Sequence, residues 1–96
     1  MALRFEWDSG KAISNQRKHG VTFDEASTAF ADPLAALFDD EEHSQHESRE
    51  ILIGHSVFQR MLVVSFTERG QDLVRIISAR TATKRERRDY EEGNRP

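Results

Sequence analysis

Three β-rich runs follow one another closely, Glu50 to Ser56, Met61 to Glu68 and Leu73 to Ala79, and no other feature constrains the fold as much. Connections this short leave no room for a crossover helix, so the runs predict an antiparallel meander. The tetrad Arg69-Gly70-Gln71-Asp72 has the composition of a hairpin turn. Leu34 to Phe38 reads as a further strand. Leu3-Arg4-Phe5-Glu6-Trp7 alternates apolar and polar residues, as a half-buried strand does.

Helical signals lie on either side of the meander. Asp8 is suited to cap a helix running to about Lys18, with Lys11, Asn15 and Lys18 on nearly one face. Ser9-Gly10 is a weak opening, whereas Lys18-His19-Gly20 places cations at the negative helix end before a left-handed cap. Thr22 to Glu25 forms a capping box for a second short helix, which Pro33 stops; Phe23, Ala26, Ala29 and Phe30 make its apolar stripe. Asp39 to Ser48 reads as an irregular polar loop. Thr83 to Glu86 is a second capping box, opening a helix to about Glu91 ahead of a frayed end at 93–96. The expected class is α+β in the order β-α-α-β-β-β-β-α, with two N-terminal helices and a C-terminal helix packed on an antiparallel sheet.

Ninety-six residues predict a single domain, 1–96, and 36% hydrophobic against 32% charged content predicts a lean core that gains from a partner. The chain has no cysteine, which excludes disulfides and thiolate chemistry. No apolar run resembles a signal peptide or a membrane span, so the expectation is a soluble, cytoplasmic protein. The net charge of −3 argues against a generic nucleic-acid binder. The charge is unevenly spread, however. Asp39 to Glu50 is acidic, whereas Arg75, Arg80, Lys84, Arg85, Arg87 and Arg88 cluster near the end. Such a face attracts phosphate locally; equally, it describes a solvated helix laced with ion pairs.

Two signatures at the ends of the chain add to this reading. The first is Phe5-Glu6-Trp7-Asp8, followed by Lys11, Asn15 and Lys18-His19-Gly20. The second is Leu62-Val63-Val64-Ser65-Phe66-Thr67-Glu68-Arg69-Gly70, then Arg75-Ile76-Ile77-Ser78-Ala79-Arg80 and Glu86-Arg87-Arg88-Asp89-Tyr90-Glu91. Together they resemble the BrnT family, the toxin half of a bacterial type II toxin–antitoxin pair. The resemblance spans about Phe5 to Glu91. It implies a RelE-like fold and an endoribonuclease that inhibits translation. It also implies neutralisation by a BrnA-like ribbon-helix-helix antitoxin, whose complex binds the operator DNA.

RNA cleavage without a metal requires activation of a 2′-hydroxyl, stabilisation of a crowded phosphate and protonation of the leaving oxygen. With the resemblance in hand, Arg80, at a strand end before the basic helix, is the first candidate for the phosphate; otherwise it pairs with Glu68 or Glu86. Glu68 is a candidate general base or a hairpin ion pair. His19 is a proton donor or simply the end of its helix. Arg75, Arg69, Lys11 and Lys18 are the candidate RNA-binding residues. If Glu68 pairs with Leu73, Phe66 lies opposite Arg75, where the two either grip RNA together or Arg75 merely covers the ring. His43, His46 and His55 lie in the polar loop or on a strand without metal-ligand spacing, so neither a metal nor another cofactor is expected. Trp7, Phe5 and Phe23 read as core. The alternative is a non-catalytic module that binds an antitoxin or regulates transcription, supported by the acidic net charge and the lack of an obvious general base.

Overall fold

The computed structural model describes residues 3–93. Strand β1 (Arg4–Glu6) leads into helices α1 (Ser9–His19) and α2 (Phe23–Thr28), the latter extended by a 3-10 turn at Ala29–Ala31. Strand β2 (Ala36–Asp39), a 3-10 turn (Glu41–His43) and strands β3 (Glu50–His55), β4 (Met61–Gly70) and β5 (Leu73–Thr81) follow, and helix α3 (Lys84–Gly93) comes last. The frayed end expected at 93–96 lies, from residue 94 onward, outside the described residues.

The helix boundaries come from local chemistry. Asp8 accepts the Lys11 amide at 2.9 Å, and Gly20 closes α1 in the left-handed conformation at φ 69°, which glycine adopts without a Cβ penalty. Thr22 caps α2 by accepting the Glu25 amide, but the expected reciprocal half of that box is missing. The Glu25 carboxylate instead turns inward to Arg60 and to the Ser56 hydroxyl, tying α2 to the β3–β4 turn. Because it accepts the Arg60 guanidinium, its pKa is held below the ordinary value despite burial. The Thr83–Glu86 box is complete, with both amides satisfied at 2.9 and 3.1 Å.

The sheet has the order β1-β5-β4-β3-β2. β2 through β5 form the expected meander. The sheet is nevertheless mixed rather than antiparallel, because β1 pairs parallel with β5 through Arg4↔Leu73, Phe5↔Val74 and Glu6↔Arg75. After β1 the chain passes through the helices and the rest of the sheet, and this connection makes parallel pairing possible. The β4–β5 register also differs from expectation. The strands close at Gly70↔Leu73 rather than at Glu68–Leu73, so Glu68 faces Val74 and Thr67 faces Arg75, with Arg69 and, farther along, Ile77 each left unmatched by a register shift. Phe66 therefore faces the core, away from Arg75.

One face of the sheet carries the core. Leu52, Val64, Phe66, Val74, Ile76 and Ala79 pack against Val21, Phe23, Ala26 and Ala29. Edge-to-face contacts link Phe5, Phe30 and Phe66 at 5.1 and 5.0 Å and join Trp7 to Phe23 at 5.8 Å, so these aromatics are core, as expected. Strand alternation sends Ile53, Val63, Ser65, Arg75, Ser78 and Arg80 to the opposite, open face. The C-terminal helix is not packed along its length, for none of its residues is buried. It is held by Glu86 to Arg80 and by the Tyr90 hydroxyl, which donates to the Leu34 carbonyl.

β1 covers only the first part of β5. Beyond it, the Asn15 side chain takes over the free edge. Its Nδ2 donates to the Ala79 carbonyl at 2.8 Å, and the Ala79 amide donates to its Oδ1 at 3.0 Å. A second Nδ2 bond reaches the Val21 carbonyl at 2.9 Å. One buried amide thus replaces a strand neighbour and fixes α1 beside β5. That contact determines where the end of α1 meets the open face.

Candidate active site

Two adjoining clefts occupy the open face where α1 ends. The larger, about 360 Å³, is lined by His19, Asp40, His43, Arg49, Ser65, Ser78 and Arg80, with Ile51, Val63 and Ile77 among its apolar walls. The smaller, about 190 Å³, runs along α1 past Lys11, Ser14 and Lys18 and shares His19, Ile77 and Ser78 with the first. The fold thus brings together Arg80, His19, Lys11 and Lys18, although Arg80 is more than 60 residues from His19 in sequence.

Arg80 projects from β5 and is held by Glu86 in a two-pronged pair, with both nitrogen–oxygen distances at 2.7 Å. The bond to Arg80 brings the Glu86 carboxyl down to about 2, against the opposing effect of burial, with help from the Thr83 amide. The same bond raises the Arg80 pKa above its ordinary value. Of the two ion-pair partners expected for Arg80, the structure selects Glu86. A phosphate entering this cleft would meet a guanidinium already shaped for two oxygens.

The remaining expected residues lie elsewhere. Glu68 is exposed and lines a separate cleft of about 440 Å³ with Leu3, Phe30, Leu37 and Leu73. Its neighbours are acidic. The Glu50 carboxyl is pushed up first by burial and then by Glu68 and Asp39. Arg75 bonds Glu6 at 2.9 Å, and Arg69 lies between Glu6 at 3.9 Å and Glu47 at 3.6 Å. Neither the Glu68 group nor the Arg69–Arg75–Glu6–Glu47 group lines the Arg80 cleft.

The polar loop supplies groups that sequence reasoning left unused. Its neck is closed by the Asp40 amide donating to the Arg49 carbonyl at 2.9 Å, and the Thr67 hydroxyl fastens Ser48 to β4 at 2.7 Å. This places Asp40, His43 and Arg49 on the wall of the Arg80 cleft. Both Asp40 carboxylate oxygens lie near His43 Nδ1, at 3.0 and 3.2 Å. Arg49 Nε is buried with no hydrogen-bond partner among the described residues; its nearest carboxylate, Glu47, is 3.7 Å away. The only local signal for these roles is the Asp40–His43 spacing of three within a loop, which acquires meaning only once the loop is seen against the sheet. Among the described residues, no group of three or more His, Cys, Asp or Glu could hold a metal ion, and no helix is long and apolar enough to cross a membrane.

A sequence model described as "Ribonuclease toxin, BrnT, of type II toxin-antitoxin system" matches residues 7–86. The chain is similar in structure to the Brucella abortus ribonuclease toxin BrnT, known from a 1.1 Å crystal structure. The match has a TM-score of 0.68 and 24% identity, covering 86% of this chain and all of the other. At that identity the likeness is one of fold. No curated protein matches.

Proposed function

We propose, from the premise that this chain belongs to the BrnT family of ribonuclease toxins of type II toxin–antitoxin systems, that it cuts RNA by metal-independent attack of a 2′-hydroxyl. RNA as substrate and an antitoxin as partner follow from the family itself. The observation that carries the finer reading is the meeting of Arg80 and His19 in one cleft of the open face.

The chemistry assigns each group a task. The Arg80 guanidinium binds two phosphate oxygens and offsets charge developing on the pentacoordinate phosphorus. To do so it exchanges the Glu86 carboxylate for the phosphate. His19, at the end of α1, donates a proton to the leaving 5′-oxygen. Lys11 and Lys18 guide the strand along α1, while Arg69 and Arg75 hold RNA farther across the face. Glu68, among other carboxylates and outside this cleft, has less support as the base than as a surface charge.

Membership of the family supports our biological reading, which is an arrest of translation in the cytoplasm through RNA cleavage by a single RelE-like toxin domain. A BrnA-like ribbon-helix-helix antitoxin covers the basic surface and carries the complex to operator DNA. The test of the mechanism is incubation of purified, antitoxin-free protein with RNA in EDTA. Cleavage unaffected by chelation is the expected result; activity lost in EDTA and restored by magnesium would refute it.

A further inference from the structure

The cleft has a cation for the phosphate and a proton donor, but Glu68 lies outside it, so the group that takes the 2′-hydroxyl proton has to come from elsewhere. His43 is the residue placed to do this. It lines the same cleft as His19 and Arg80, reached from the β2–β3 loop rather than from α1. Its Nδ1 faces the Asp40 carboxylate at 3.0 Å. Asp40 is largely shielded, with its side chain 13% exposed, whereas His43 is 58% exposed at the cleft mouth. A carboxylate on Nδ1 keeps the proton of the neutral ring on that nitrogen, leaving the Nε2 lone pair for a substrate proton.

We propose that His43 is the general base of this ribonuclease, with Asp40 as its positioning residue. The inference rests on the 2′-hydroxyl reading above and deepens it. In the step, His43 Nε2 takes the proton of the 2′-hydroxyl as the 2′-oxygen bonds to phosphorus. The bond from phosphorus to the 5′-oxygen breaks, and that oxygen receives the proton carried by His19. The products are a 2′,3′-cyclic phosphate and a 5′-hydroxyl. His43 ends protonated and His19 neutral, and exchange with water restores both.

The loop is built to hold this pair in place. The Asp40 amide is bonded to the Arg49 carbonyl, the Ser44 hydroxyl donates to the Asp40 carbonyl, and Ser48 is fastened to Thr67 of β4. These three bonds pin the 40–49 loop at both ends, Asp40 among the pinned residues, and its carboxylate in turn holds the ring. Among the described residues, no other histidine of the cleft has a carboxylate partner; His55 is paired with Asp32 at a different site.

The test compares His43→Ala and His19→Gln on two substrates, ordinary RNA and RNA with sulfur replacing the leaving 5′-oxygen. Sulfur departs without a proton, so it relieves the need for the acid but not for the base. On ordinary RNA both variants should lose on the order of a hundredfold or more in rate. On the thio-substrate His19→Gln should recover, while His43→Ala should stay impaired and be partly rescued by added imidazole. Asp40→Asn should lower kcat with KM unchanged. Binding of a 2′-O-methyl RNA oligonucleotide, which cannot be cut, should match wild type in all three and shows that each variant is folded. His43→Gln serves if the alanine variant binds no RNA. Wild-type cleavage by the His43 variants would overturn the inference, as would recovery of His43→Ala on the thio-substrate. A wild-type protein that cuts neither substrate would instead defeat the 2′-hydroxyl reading, and this inference with it.

Discussion

Arg80 and Glu86 are joined oxygen for nitrogen, Nη1 to Oε1 and Nη2 to Oε2, each at 2.7 Å. Oε1 also accepts the Thr83 amide at 2.9 Å, so one carboxylate both caps α3 and occupies the guanidinium proposed to bind phosphate. The start of the C-terminal helix and the state of the cleft are thereby linked.

Replacing Arg80 by alanine should remove cleavage and spare the fold. The side chain lies on the open face and contributes nothing to the buried cluster. Loss of one preorganised donor to a transition-state oxyanion costs on the order of a hundredfold in rate. Growth inhibition and RNA cleavage measured at matched soluble levels check this. Full toxicity of Arg80→Ala would remove it from the mechanism.

Glu86 gives a pH dependence with a definite sign. Its folded pKa is depressed, from the ordinary 4.5 to about 2, mainly by the bond to Arg80. Between those values the unfolded chain binds the extra proton, so Glu86 stabilises the fold above about pH 4.5 and ceases to do so as pH falls towards 2. Wild type should therefore melt higher than Glu86→Gln at pH 6, and the gap should close on acidification. A gap that stays constant down to pH 2 would contradict the assignment.

Asn15 should matter for stability more than any exposed residue of α1. Asn15→Leu leaves the Ala79 amide and carbonyl without their side-chain partners inside the protein. Buried groups stranded in this way cost about 1–3 kcal/mol each, so a total loss of roughly 2–6 kcal/mol is expected for the two. Chemical denaturation measures it. A loss below about 0.5 kcal/mol, the usual range for surface changes, would show that α1 does not depend on this edge.

Much of this was legible in the sequence because it is local. Asp8, Thr22 and Thr83 accept amides three residues away, and Gly20 ends α1, all within the reach of one helical turn. The meander was legible for the same reason. The parallel pairing of Phe5 with Val74 joins residues nearly 70 positions apart, and no local pattern encodes it. The skipped residues Ile77 and Arg69 likewise become visible only as pairing, and the closure of the turn at Gly70↔Leu73 rather than Glu68–Leu73 sets Phe66 against Ile76 instead of Arg75. Asn15 has the spacing of a surface residue on α1, yet its amide is consumed by the sheet edge. Glu25 has the capping-box position, but its carboxylate finds the better partner in Arg60. Within the candidate site, His19 and Arg80 were identifiable by type and position. Asp40, His43 and Arg49 were not, because their place in the cleft depends on a loop folding over the open face.

The antitoxin should bear on α3. Lys84, Arg85, Arg87 and Arg88 are exposed there, beside the Arg80 cleft, on a chain of net charge −3. Charge reversal by Arg87→Glu together with Arg88→Glu should weaken the toxin–antitoxin complex, and the difference from wild type should shrink as salt rises and screens exposed charge. Titration of labelled antitoxin at low and high salt checks it. Equal affinity after reversal at low salt would place the main contact elsewhere.

The central claim is that RNA supplies its own nucleophile in the Arg80 cleft, and one substitution in the substrate tests it. An oligonucleotide cut by the wild-type protein is resynthesised with a single 2′-deoxynucleotide on the 5′ side of the cleaved bond. The account predicts that this bond becomes uncleavable, while the unmodified parent yields a 2′,3′-cyclic or 3′-phosphate and a 5′-hydroxyl. Cleavage of the deoxy-substituted bond at the parent's rate, or fragments bearing a 5′-phosphate, would contradict it.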